Sequence, residues 1–146
     1  MHYLVGEEMT GGYGDADILH DCTIGVDEGE IAVVVGPNGA GKSTAMKAVF
    51  GMLALRSGRV LMNGEDITAL KPQERVRKGM GFVPQNYNVF PYLTVLEYLE
   101  MGAFVRADDV ADTLSQVFEL FPVLREKADQ PAGELSGGQR LSLIHI

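Results

Sequence analysis

Weak alternation of polar and apolar positions runs through the first thirty residues, punctuated by Gly11-Gly12 and Glu28-Gly29. It predicts antiparallel strands near residues 3–9 and 19–26. Ile31-Ala32-Val33-Val34-Val35 is an unbroken apolar run rich in β-branched residues, the pattern of a strand buried on both faces. After a glycine-rich stretch, Met46, Val49, Phe50 and Leu53 recur at helical spacing. Residues 59–62 and 65–67 predict a hairpin turning at Asn63-Gly64, a pair suited to positive φ. Pro72 can open a short helix through Lys78, and residues 80–84 read as another buried strand. Thr94 and Glu97 form a capping box for a helix to about Phe104. Val110, Leu114, Val117, Phe118 and Phe121 mark the inner face of a further helix, with Asp108 a candidate cap. A β-rich start, a strand–loop–helix core and a helical segment together describe an α/β domain with a helical insertion.

Composition narrows the class. The chain has 146 residues, 46% hydrophobic and 22% charged, enough for one domain with its own core. No run approaches the roughly 18 apolar residues of a membrane-spanning helix. The first eight residues lack the basic-then-apolar order of a secretory signal. The single cysteine, Cys22, can form neither an internal disulfide nor a cysteine metal site. A cytoplasmic protein is expected. The net charge of −8 argues against broad binding to a nucleic-acid backbone. A small phosphorylated ligand needs only a few local donors, whatever the overall charge.

Such donors are concentrated in Gly36-Pro37-Asn38-Gly39-Ala40-Gly41-Lys42-Ser43-Thr44, which fits G-x-x-x-x-G-K-[ST] in full. Successive backbone N–H groups from about Gly39 to Thr44 can point inward at the α- and β-phosphates of a nucleotide. Glycine lets the chain curl that tightly. Lys42 can reach the β- and γ-phosphates, and the Ser43 hydroxyl is a hard oxygen suited to Mg²⁺. The helix beginning at Lys42 turns its positive dipole end toward the anion. Mg-ATP is the expected ligand.

Leu135-Ser136-Gly137-Gly138-Gln139 is the second informative stretch. Read from its residues, it is either a helix cap after the loop containing Pro131 and Gly133, or a second anion site at a helix N-terminus. With the phosphate loop upstream, the two motifs resemble those of the ATPase subunits of ABC transporters, and the likeness covers nearly the whole chain. The resemblance implies a P-loop NTPase fold, an ABC-type ATPase domain with an antiparallel β subdomain and an α-helical subdomain. It implies a head-to-tail dimer sandwiching two ATP molecules, with Ser136, Gly137, Gly138 and Gln139 acting in trans on the γ-phosphate held by a second subunit. Gln85, in Phe82-Val83-Pro84-Gln85, matches the family's glutamine that ligates Mg²⁺ and helps place the attacking water; its plain alternative is a polar residue ending a strand. The loop 86–92 would then face the transmembrane partner. Tyr13, in Gly12-Tyr13-Gly14, matches the aromatic that stacks on adenine; its alternative is a half-buried strand tyrosine. Lys42 and Gln85 lie 43 positions apart, and Gln85 and Ser136 lie 51 apart. Those intervals leave room for a compact helical subdomain, not for the coiled coils or zinc modules of chromosome-maintenance and DNA-repair relatives.

Four stretches resemble the importers of branched-chain and other hydrophobic amino acids: 19–21, 89–95, 100–104 and 118–122. The expected function is the ATP-binding and ATP-hydrolysing subunit of such an importer, peripheral on the inner face of the plasma membrane. Its expected partners are a second ATPase subunit, permease subunits and, indirectly, a substrate-binding protein, with no nucleic acid. Two alternatives are a soluble ABC ATPase acting on ribosomes or nucleic acid, and a P-loop module that only senses nucleotide.

After Arg140 the family continues a helix, then a strand ending in Asp-Glu, and later a histidine on the γ-phosphate. His145 lies too close to the second motif to be that histidine, and His2 and His20 lie at the wrong end. The ending Leu141-Ser142-Leu143-Ile144-His145-Ile146 resembles a translated sequencing adapter; natural truncation is the alternative. Residues 1–140 are therefore expected to be the N-terminal part of one ABC ATPase domain, with a helical subdomain at about 93–135 and a non-native tail at 141–146. The 146-residue chain is expected to hydrolyse ATP negligibly, because it lacks the glutamate that polarises water. Unpaired strand edges and exposed apolar surface are expected to favour aggregation.

Overall fold

The computed structural model describes residues 2–84, 90–104 and 110–144. The chain divides into two compact units, Met1–Gly81 and Phe82–Ile146.

The first unit is built on strands β1 (Leu4–Tyr13), β2 (Ala16–Val26), β3 (Ser57–Met62) and β4 (Glu65–Asp66), ordered β2-β1-β3-β4 and antiparallel throughout. The first hairpin turns at Gly14-Asp15, and Gly11-Gly12 lie inside β1 rather than at a turn. A Cβ on Gly12 would collide with the Ala16 carbonyl of the neighbouring strand, beside a register shift. Glycine here serves close strand approach at a bulge. At the second hairpin Asn63 (φ 48°) and Gly64 (φ 78°) make the expected turn.

Helix α1 (Lys42–Val49) packs on the sheet through Ala45, Ala48 and Val49, in a core with Met9, Leu19, Leu53, Val60 and Ile67. Met46, expected on the inner face, is half exposed. The small side chains of Ala45 and Ala48 let the helix sit close to the sheet, and that face turns Met46 outward. Helix α2 (Pro72–Arg77) opens at Pro72, with Glu74 Oε2 accepting from Lys71 N at 2.8 Å.

Two expected strands are absent. Residues 31–35 form no ladder, and Ile31, Val33 and Val35 are 93%, 77% and 83% exposed. Residues 80–84 are likewise irregular. A strand buried on both faces requires neighbours at its edges. Among the described residues the strands all belong to the antiparallel sheet, and none pairs with either run.

The second unit contains α3 (Val95–Gly102), α4 (Ala111–Leu120), α5 (Pro122–Glu126), a 3₁₀ turn (Ala132–Glu134) and α6 (Gly137–Ile144). Its core joins Val95, Leu99, Val117, Leu124, Ala132, Leu135 and Leu143. The Thr94–Glu97 box starts α3: Glu97 N donates to Thr94 Oγ1 at 3.2 Å, and Thr94 N to Glu97 Oε2 at 2.8 Å. The helix stops at Gly102, leaving Phe104 86% exposed. Val117 is buried on α4, with Leu114 and Phe118 partly buried beside it; Asp108 lies outside the described residues. The expected helix is α4, and Pro122 starts a separate α5 after an extended Phe121 (φ −131°, ψ 74°). Helix α6 continues past Arg140, and Leu143 is buried in the core.

Candidate functional site

The phosphate loop connects residues 31–35 to α1. Gly39 (φ 87°) and Gly41 (φ 83°) hold left-handed conformations, which only glycine adopts without strain. Gly41 is also the N-cap of α1, where no side chain caps the helix. The first backbone bond of the helix runs from Ala45 N to Gly41 O at 2.8 Å. The N–H groups of Lys42, Ser43 and Thr44 therefore precede the ladder, at the positive end of the helix dipole. Lys42 folds back over the loop, its Nζ donating to Gly36 O and Pro37 O, each at 2.7 Å. Its third N–H is left to face a ligand. Ser43 is exposed and Thr44 is buried. The structure thus brings residues 36–44 into one curled segment with backbone donors, an ammonium and an exposed hydroxyl. This donor set fits the polyphosphate of a nucleotide, and the hard Ser43 oxygen fits Mg²⁺.

Tyr13 ends β1, paired with Ala16 across the hairpin, and is 50% exposed. It neighbours α1, because Lys47 Nζ donates to its hydroxyl at 3.4 Å. Gly41 lies against Ile18 and Leu19 of β2, so the tip of this hairpin and the end of the phosphate loop share one side of the first unit.

Arg75 is a residue the sequence did not single out. It is 2% exposed. Its guanidinium donates to the carbonyls of Val49, Ala48, Thr68 and Leu70, the last two at 2.8 and 3.0 Å. Burial lowers its pKa, and the charge of Asp66 offsets part of that effect. The cation thus satisfies carbonyls at the negative end of the phosphate-loop helix and ties them to the β4–α2 connection. An arginine within a short helix otherwise reads as a solvated charge, so no local pattern reveals this role.

In the second unit, Ser136 precedes α6 and caps it. Gln139 N donates to Ser136 Oγ at 3.4 Å, and Ser136 N donates to Gln139 Oε1 at 3.0 Å. Lys127 Nζ also donates to Gln139 Oε1, at 3.5 Å. The cap uses Ser136 as an acceptor, so its hydroxyl hydrogen remains a possible donor. The two sequence readings of this stretch, cap and anion site, are therefore compatible. Cβ atoms added to Gly137 or Gly138 would meet nothing within 4 Å. Gln85 lies outside the described residues.

The family model described as ABC transporter matches residues 19–144 of the chain. The chain is 41% identical over 137 residues to the "Probable branched-chain amino acid transport ATP-binding protein LivF" of Archaeoglobus fulgidus, covering 93% of this chain and 58% of that relative. It is 40% identical over 106 residues to the "Molybdate/tungstate import ATP-binding protein WtpC" of Thermococcus kodakarensis, covering 73% of this chain and 31% of the relative. A solved structure titled "Structure of ATP binding subunit of ABC transporter" superposes with a TM-score of 0.79 at 26% identity, over 97% of this chain and 59% of the other. The chain therefore spans about three-fifths of the length of the relative from Archaeoglobus and of that solved structure.

Proposed function

The chain belongs to the ABC transporter family, and from that premise we propose that it is the nucleotide-binding part of an ATPase subunit that drives import across a membrane, with branched-chain or other hydrophobic amino acids as cargo. The observation that carries this reading is the uncapped N-terminus of α1 beneath the glycine loop, with the Lys42 ammonium held above it. Phosphoryl transfer depends chiefly on positioning and electrostatic stabilisation. The loop N–H groups would hold the phosphates of ATP, and Lys42 would neutralise charge on the β- and γ-groups. Ser43 and Gln85 would hold Mg²⁺, which supplies charge neutralisation between the phosphates. Ser136, Gly137, Gly138 and Gln139 would serve a second subunit, with the Ser136 hydroxyl donating to the γ-phosphate bound there. Tyr13 would stack on the adenine.

The partners of this reading are a second ATPase subunit and permease subunits, with a substrate-binding protein acting through them. Its place is the cytoplasmic face of the membrane. No helix among the described residues is long and apolar enough to cross a membrane. The net charge of −8 disfavours the nucleic-acid alternative. The cargo proposal rests on likeness to a relative named for branched-chain amino acids; the second relative is named for molybdate or tungstate.

Reconstitution of the complete subunit with its permease tests the reading. Vesicles supplied with a leucine-loaded binding protein are expected to show ATP hydrolysis and leucine uptake, both lost with Lys42→Ala. Uptake of another cargo and not of leucine would overturn the substrate proposal alone; hydrolysis independent of any permease would overturn the transport reading.

A further inference from the structure

The tip of the β1–β2 hairpin is held from two directions. Arg56 donates to the Gly14 carbonyl and forms an ion pair with Asp17, while its backbone N–H donates to Thr10 O at 2.9 Å. Those contacts fix the backbone around Tyr13. The ring is restrained by Lys47, on the last turn of the phosphate-loop helix. The ammonium lies 5.7 Å from the ring centre but only 3.4 Å from the hydroxyl oxygen. That difference is most of the length from a phenol's centre to its oxygen. The cation therefore sits off the hydroxyl end, near the ring plane, and not above a face, so the contact is a hydrogen bond in character rather than a cation–π stack. The ammonium thus leaves the faces of the half-exposed ring uncovered by itself, while the hydroxyl end is tethered to the helix that begins at Lys42. Lys42 and Lys47 are separated by about 7.5 Å along that helix.

We propose that Lys47 is a positioning residue: by holding the Tyr13 hydroxyl it sets the plane of the ring, and with it the preference of the site for a nucleoside triphosphate over a bare polyphosphate. The inference rests on the reading of Tyr13 as the base-stacking residue and goes beyond it. A stacking face earns affinity only when it is already oriented, because an unrestrained ring loses rotamer freedom on binding. Base–aromatic stacking supplies part of the affinity for a nucleotide, and the tether decides how much of that is realised. Phosphate contacts are made by the loop and do not involve the tether.

The test is calorimetric titration of the 146-residue chain with MgATP and with magnesium tripolyphosphate, which has the phosphates without the base. The proteins are the wild type, Tyr13→Phe, Lys47→Met, the double variant and Tyr13→Ala, each checked for wild-type thermal unfolding. Tyr13→Phe keeps the stacking face and removes only the tether. The ratio of ATP to tripolyphosphate affinity is expected to fall about three- to tenfold in Tyr13→Phe. It should fall by the same factor in Lys47→Met and no further in the double variant. Tripolyphosphate affinity should be unchanged in all of them. Tyr13→Ala should lower the ratio further, about fivefold to a hundredfold. Additive losses in the double variant, or a Lys47→Met protein that loses tripolyphosphate affinity as much as ATP affinity, would overturn the inference. A Tyr13→Ala protein with the wild-type ratio would overturn the base-stacking reading and this inference with it. A lowered ratio in Tyr13→Ala but not in Lys47→Met would overturn this inference alone.

Discussion

Arg75 shows how much one side chain can hold in place. Four carbonyls, two at the end of α1 and two after β4, accept from a single buried guanidinium, and that of Ala48 also accepts from Gly51 N at 3.0 Å. Arg75→Met would keep much of the volume and remove this donor from the carbonyls of Val49, Thr68 and Leu70. The expected loss is about 2–4 kcal/mol of unfolding free energy, as for other broken buried networks, measured by urea denaturation. A loss below about 0.5 kcal/mol, the size of an ordinary surface change, would show that water replaces the guanidinium at little cost. The contacts of Arg75, and that of Lys47 with Tyr13, also mark where sequence reading stops. The phosphate-loop residues are legible because their chemistry lies within nine consecutive positions. Arg75 meets Ala48 across 27 positions and Lys47 meets Tyr13 across 34, and no local pattern records such contacts.

At the scale of elements, the signals that proved readable act over a few residues. Asn63-Gly64 sets its own turn, Pro72 opens α2, and Thr94 with Glu97 opens α3. The signals that misled concern partners. An apolar run announces that it would be at ease between two strands, not that those strands pair with it. Residues 31–35 and 80–84 lack ladders for that reason, and Gly11-Gly12 serve the neighbouring strand rather than a turn. The exposed run has a measurable consequence. Replacing Val33 and Val35 with lysine should lower light scattering at high protein concentration, because charge interrupts an aggregation-prone stretch. The thermal midpoint should be unchanged; a clear drop would show that the run is packed in solution.

The α3 cap carries a pH dependence of known sign. The Glu97 carboxylate accepts from the backbone N–H of Thr94 and from its hydroxyl, and these bonds hold its pKa below the ordinary 4.5. A group whose folded pKa is depressed contributes stability above its unfolded pKa and loses it as pH falls through the folded value. Glu97→Gln should therefore be less stable than the wild type near neutral pH, and the gap should close as pH falls below 4.5. Thermal melts across that range check it, and a gap that widens in acid would contradict the cap.

On the scale of the whole molecule, the two units hold different parts of the proposed cycle. The first carries the phosphate loop with Tyr13, and the second carries Ser136 at the start of α6. The 146-residue chain is proposed to bind nucleotide without turning it over. Phosphate release at the level of a Lys42→Ala control is the predicted outcome, and turnover well above it would show that another group orients the water. The family was legible from two short motifs, since each is a compact piece of chemistry. The proposed cargo rests on family likeness alone, since no chemistry of the phosphate loop or the second motif bears on it.

Residues 36–44 are proposed to hold the phosphates of a nucleotide, and calorimetric titration of MgATP into the wild type and Lys42→Ala probes that role at the loop itself. Saturable one-to-one binding to the wild type is expected, weakened on the order of tenfold to a hundredfold in Lys42→Ala by loss of the charge-assisted contacts of Lys42, with the thermal midpoint unchanged. Equal affinity in the two proteins, or no binding by a folded wild type, would contradict it.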